Sequence, residues 1–339
     1  MPRKSKLLSI LFLWVFCAIA LAAVPARAID SNLEGQLQSL KTSAQGQTLE
    51  AKAALGAALI KSASPENQKE VAGRVAQLLA GIKDDFSDNA TLAGLLAKKL
   101  PGRVAASVAG SIAIGAGAGD PAQLPQITAA VIASQSATID QAGAIAQEVT
   151  ASAPLSQASS IASAIGAMFA EHPRLANKSP EIAAGITRAL LAKEASLPEI
   201  RSELANSIAA LTVLLPGSIS SNKNLIIKIG REVATLIAKD FPGLATTIVG
   251  ITGGALQSAA GSDDISTVLD GFEDEFKSRI DDPIIKEKLD KVISEIRSGT
   301  SDKQILPLEK QPDPNPAPAG GGSGGGGWIA KPETDVVNG

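Results

Sequence analysis

The sequence predicts an all-α protein: an array of short, Ala-rich helices, solenoid-like or an irregular bundle, with a disordered Pro/Gly-rich C-terminal tail. Three observations predict it. Apolar residues recur every three to four positions through most of the chain, the spacing that lines one face of a helix. No segment alternates convincingly between apolar and polar; the nearest to a strand, Leu225 to Ile229, runs on through Val233, Leu236 and Ile237 at helical spacing. Of 339 residues, 45% are hydrophobic, yet only 3% are aromatic and Tyr is absent, so Ala carries much of the apolar content. Ala is the best helix former and buries little area. A core made from it needs many helices, set close together.

The first element, residues 1–28, reads as a secretory signal peptide. Arg3, Lys4 and Lys6 precede an apolar run from Leu7 to Val24, and Pro25-Ala26-Arg27-Ala28 ends it with small residues at the cleavage positions. Cleavage is expected after Ala28. The alternative is an uncleaved anchor, since about 18 apolar residues can just span a bilayer. Cys17 follows Trp14-Val15-Phe16, too bulky for a lipoprotein signal. It is the only cysteine, so the cleaved chain would have none. That excludes disulfides, thiolate zinc sites and a cysteine nucleophile. The full chain carries 31 basic and 34 acidic residues, net −3; without Arg3, Lys4, Lys6 and Arg27 it has 27 basic residues and a net charge of −7. No basic face is apparent, which argues against nucleic acid as a partner.

Residues 29–300 read as one helical domain. The stripe Val71, Val75, Leu78, Leu79 and Ile82 marks a helix over 65–82, opened by Ser64-Pro65-Glu66 with Ser64 as N-cap. Ser179-Pro180-Glu181 opens another, with Ile182, Ile186, Leu190 and Leu191 on its stripe. Leu197-Pro198-Glu199 opens a third, with Ile200, Leu204, Ile208 and Leu211. Two more run near 264–280 and 283–297, where Asp263 and Asp281 occupy expected N-cap positions. Breaks near Pro or Gly recur over much of 101–261, implying helices of about 14 to 18 residues joined by short turns. Some words recur: Pro-Glu-Ile at 180 and 198, and Leu96 to Gly102 against Ile237 to Gly243. They predict weak helical quasi-repeats; chance matching of Ala-rich sequence is the alternative.

Residues 301–327 form a Pro/Gly-rich linker, ending in the run Gly320 to Gly327. Residues 328–339 are a tail peptide. Trp328 and Ile329 give it an apolar tip on a flexible tether, the pattern of a docking peptide. The bland reading is an unstructured terminus with a chance Trp.

Catalytic signals are weak. His172 is the only histidine, and with no cysteine after cleavage no histidine-based metal cluster can form. It belongs at a helix end, and no Gly-x-Ser-x-Gly elbow accompanies it. The run Gly115 to Gly119 closes an Ala-rich helix, with Pro121 following; a phosphate loop would need a strand before it. Acidic pairs at Asp84-Asp85, Asp263-Asp264 and Asp281-Asp282, and the triplet Glu273 to Glu275, match no calcium-loop spacing. The small residues at Ala105, Ala109 and Ala113, and the glycines at 243, 250, 253 and 254, fit close helix packing in water. Arg103 and Gln257 interrupt these runs as membrane segments.

The function expected is that of an exported, non-enzymatic helical scaffold or interaction protein of the cell envelope, in the periplasm or outside the cell. Its partner would be a protein or other envelope component, with no cofactor, metal or catalytic residues and no membrane insertion after cleavage. Two alternatives stand beside it: an enzyme with an unrecognised carboxylate/Ser site, and a membrane-active helical protein.

Overall fold

The computed structural model describes residues 31–82, 88–134, 141–261 and 264–298, with side chains from Leu33 onward. The segments expected to be a signal peptide (1–28), a linker (301–327) and a docking tip (Trp328 and Ile329) lie outside the described residues. So do Asp84, Asp85 and Asp263.

Fourteen α-helices make up the described chain, joined by turns and short 3₁₀ segments, with no strand among the described residues. They are α1 (Ser31–Ala44), α2 (Leu49–Ser62), α3 (Gln68–Ala80), α4 (Asn89–Lys99), α5 (Gly102–Gly117), α6 (Leu124–Ser134) and α7 (Ala142–Ser152). Then come α8 (Ala158–Glu171), α9 (Ser179–Leu191), α10 (Leu197–Val213), α11 (Lys223–Ile237), α12 (Ala245–Ala259), α13 (Ser266–Lys277) and α14 (Pro283–Ser298). The all-α expectation holds, including the strand-like 225–229, which lies inside α11.

Local chemistry sets the helix ends. Ser196 caps α10 with a capping box: its backbone N–H and hydroxyl both donate to Glu199 Oε2, at 3.3 and 2.8 Å. Asp88 caps α4, accepting from the Ala90 and Thr91 amides. Gly46 and Gly261, with φ of 66° and 56°, take the left-handed backbone just beyond α1 and α12, which a β-carbon would strain.

Three expected starts move. The helix over 65–82 begins at Gln68: residues 65–67 form a turn whose amides at Asn67 and Gln68 bond the Ser64 carbonyl, so Ser64 contributes its backbone and Asn67 takes the cap position. Ser179 is the first residue inside α9, fully buried, with Lys178 at the cap. At α14 the capping aspartate is Asp282 and not Asp281, accepting from the Ile284 amide at 2.9 Å; the call on Asp263 lies outside the described residues, and ahead of α13 Asp264 accepts from the Ser266 amide at 2.9 Å. Asp282 and Asp264 are each the second member of their acidic pair, because a side-chain oxygen reaches the amide two positions ahead.

One rule governs the packing. Each helix lies chiefly against the helix two places along. The even helices α2 to α14 make one row and the odd helices α1 to α13 another, and most helices also touch a sequence neighbour in the opposite row. Most polar contacts within a row accordingly join residues 36 to 44 positions apart, as in Gln157 to Pro121 and Ser159 to Glu203. The recurring sequence words do not follow this spacing. Pro-Glu-Ile at 180 and 198 opens α9 and α10, one in each row.

The core runs between and along the rows and is built as the composition requires. Ala105, Ala109 and Ala113 are buried on α5, and Ile182, Ile186 and Leu190 on α9. Phe272 and Phe276 stack tilted on α13 with centroids 5.3 Å apart. Threonines enter it by back-bonding: Thr128, Thr187 and Thr212, all buried, each donate to the carbonyl four residues earlier.

Where the rows press hardest, glycine stands at the contact. A β-carbon on Gly115 of α5 would overlap the Gly73 carbonyl of α3, and one on Gly185 of α9 would overlap the Gly143 carbonyl of α7. These two helix pairs make the most extensive contacts in the fold. Helix backbones touch there with no side chain between them.

Candidate functional site

Charged groups gather along the helix seams, and each is matched to a partner. On the α11–α13 seam, Arg231 donates from Nε and Nη2 to Glu275 Oε1, at 3.1 and 2.7 Å. Arg279, just past α13, bonds Glu275 Oε2 with Nη1 and Thr235 Oγ1 with Nε, the latter at 2.9 Å. Arg231 and Thr235 are one turn apart on α11, as Glu275 and Arg279 are on the other side, so the four close into a ring. The Arg231 bond, then the nearby Arg279 charge, overcome partial burial and hold the Glu275 carboxyl below the usual range.

The α13–α14 seam has a second cluster. Lys277 sits between Glu273, at 2.9 Å, and Asp290 of α14, and Arg297 pairs with Asp270. Glu273 is only 5% exposed. Burial pushes its pKa up, against the pull of Lys277. Burial also works against the Lys277 charge, but its bonds to Asp290 and Glu273 together outweigh this and raise its pKa.

A third group crosses the odd row. Glu148 of α7 accepts from Ser111 Oγ of α5 at 3.0 Å and pairs with Lys69 of α3 at 3.4 Å. Gly110 leaves the space this carboxylate occupies: a β-carbon there would come within 2.6 Å of Oε2.

Other charges finish helix ends for a neighbour in the same row. Lys193 donates to the Ala151 and Ala153 carbonyls at the end of α7, at 2.9 and 2.7 Å, while burial lowers its pKa. Glu203 of α10 accepts from the Ser159 amide in the first turn of α8 at 3.2 Å. Cation at a C-terminus and anion at an N-terminus both favour the helix dipole.

These arrangements position helices. The structure does not join the expected candidates into a reaction centre. His172 is exposed at the C-cap of α8. The glycine run 115–119 closes α5, and Asp120 then caps a 3₁₀ turn by accepting from the Ala122 amide. Ser207, a buried hydroxyl, donates to the Glu203 carbonyl within its own helix. Among the described residues, no group of three or more His, Cys, Asp or Glu could hold a metal ion, and no helix is long and apolar enough to cross a membrane.

The broadest chemical feature is a surface. Between Arg103 and Glu171 the sequence carries only Asp120, Asp140 and Glu148 as charges, and no base. Between those two charged residues, the exposed side chains of the described parts of α5 to α8 and their turns are Ser107, Gln123, Gln126, Ser152, Ser156 and Ser160 among alanines and prolines, with Asp120 and Glu148 half-buried. Neutral hydroxyls and amides are less costly to cover than charges. Sequence reasoning passed over this stretch because it sought residues that do chemistry, and here the signal is a shortage of charge. The seam pairs were also missed: partners about 44 residues apart are recognisable only once the row spacing is known.

Comparisons with protein-family models, with curated proteins and with solved structures give no match.

Proposed function

We propose that this chain is an exported, non-enzymatic helical scaffold of the cell envelope that binds partners along its charge-poor middle section. The leader-like segment 1–28 supports export. The two-row packing supports a solenoid-like scaffold, since stacks in which each unit leans on the next offer extended lateral surfaces for binding. The observation that carries the binding role is the exposed Ser, Gln and Ala of α5 to α8, unbroken by any basic residue from 104 to 170. The tail tip Trp328-Ile329 would serve as a tethered second contact.

Fractionation and N-terminal sequencing test the first part: the envelope form should begin at Ile29. Capture of envelope proteins on the purified chain tests the second. Ser107→Glu, Gln126→Lys and Ser160→Glu together should abolish capture at unchanged helicity, and removal of residues 320–339 should weaken it. Recovery only from the cytoplasm, or capture indifferent to the triple substitution, would refute the reading.

A further inference from the structure

The even row ends differently at its two termini. At the C-terminal end of the even row, α14 carries Glu287, Lys288, Asp290 and Lys291 among its exposed residues, a solvated surface. At the N-terminal end of the even row, α2 does the reverse. Its buried side holds Ala53, Gly56, Ala57 and Ile60, and also Lys52 at 1% exposure, the only charge between Glu50 and Lys61. Its other side presents Ala51, Ala54, Leu55, Ala58 and Leu59, with Ala54, Leu55 and Ala58 exposed and Leu55 at 38%. Those positions follow i, i+3, i+4, i+7 and i+8, a complete second apolar stripe. Along the row a face in this position is covered by another helix, as α4 covers the inner side of α2.

Charge identifies the occupant. Glu50 and Lys61 are exposed, about three turns apart, on one edge of the stripe. A helix laid antiparallel across α2 would match them if it carried a cation near one end and an anion near the other, in reversed order. α2 itself is such a helix. About a two-fold axis near Leu55, Glu50 of each copy faces Lys61 of the other, since a two-fold contact is self-complementary. Ala51, Ala54 and Ala58 leave room for close approach, and Leu55 meets its counterpart beside the axis.

We infer that the outer stripe of α2 is the interface of a two-fold dimer of this chain, with α2 packed antiparallel on its copy. A single helix pair falls at the low end of specific interfaces, roughly 1,000 Å² in total, so association is expected at roughly micromolar or weaker affinity.

Sedimentation equilibrium on the protein, purified as the cell makes it and studied over a wide concentration range, tests this. The wild type should pass from monomer to dimer. Leu55→Glu should raise the dissociation constant at least about tenfold, whereas Ile284→Glu, at a residue 61% exposed on α14, should leave it unchanged. Glu50→Lys should weaken the dimer, and Glu50→Lys with Lys61→Glu should restore it, because both pairs then exchange sign together. All four positions are exposed, so circular dichroism should show unaltered helicity. A monomer at every concentration would overturn the inference, whether the face stays bare or residues 1–30 fill it. So would a dimer indifferent to Leu55→Glu. A double reversal that fails to rescue would overturn the antiparallel pairing.

Discussion

Where α3 meets α5, a single hydrogen atom decides the spacing. Gly115 has no β-carbon, so its α-carbon lies against the Gly73 backbone; Gly185 and Gly143 repeat this between α9 and α7. Glycine within a helix costs about 0.5–1 kcal/mol relative to Ala, and the contact it permits must offset that. Substitution should therefore change sign with position. Gly35→Ala, on α1 with nothing within 4 Å of the added carbon, should stabilise the fold by about 0.5–1 kcal/mol. Gly115→Ala should destabilise it by about 1–3 kcal/mol, because the added carbon meets backbone, which cannot rotate away. Thermal melts of both variants against wild type check this; equal shifts would contradict the packing. The abundance of small residues was plain in the sequence and implied close helices. Which glycines touch was not, because Gly73 and Gly115 pair only through the row order, which no local pattern encodes.

At the level of the helix, α13 carries two carboxylates of opposite habit beside its two seams. Glu275 is held below the ordinary range by Arg231, and Glu273 is pushed above it by burial. In the unfolded chain both titrate near about 4.3. For Glu275, with a lowered folded pKa, the stabilisation is complete above that value and is lost as pH falls through the folded one. For Glu273, with a raised folded pKa, the preference is complete below that value and is lost as pH rises through the folded one. In urea unfolding between acid and neutral pH, Glu275→Gln should cost progressively more relative to wild type as pH rises. Glu273→Gln should become progressively more favourable over the same range, since glutamine keeps the neutral form. Parallel pH profiles would contradict the two environments. The acidic triplet Glu273 to Glu275 was visible in the sequence as an acidic cluster that matches no calcium loop. Its division into Glu275, paired across a seam, and Glu273, buried beside Lys277, depends on α11 and α14 arriving from either side. The stripes of α9, α10, α13 and α14 were legible for the converse reason: helical periodicity is local and its buried residues follow from it.

At the level of the whole described chain, packing is mainly between next-but-one helices; if it acts as the solenoid-like scaffold proposed above, stability is nearly a sum of neighbouring terms. A chain ending after Gly261, without α13 and α14, should keep its helicity per residue and melt at a lower temperature. Collapse of all helicity on that truncation would instead mark one closed cooperative bundle.

The modest reach of the contacts has a consequence for how the molecule comes into being. Apart from links such as Lys69 to Glu148, a helix finds its main partners within about two helices of itself, so no distant end must be retrieved before folding starts. Chains rich in near contacts fold quickly. Whichever terminus is made first can consolidate while the remainder is still to come, which would suit the export proposed above.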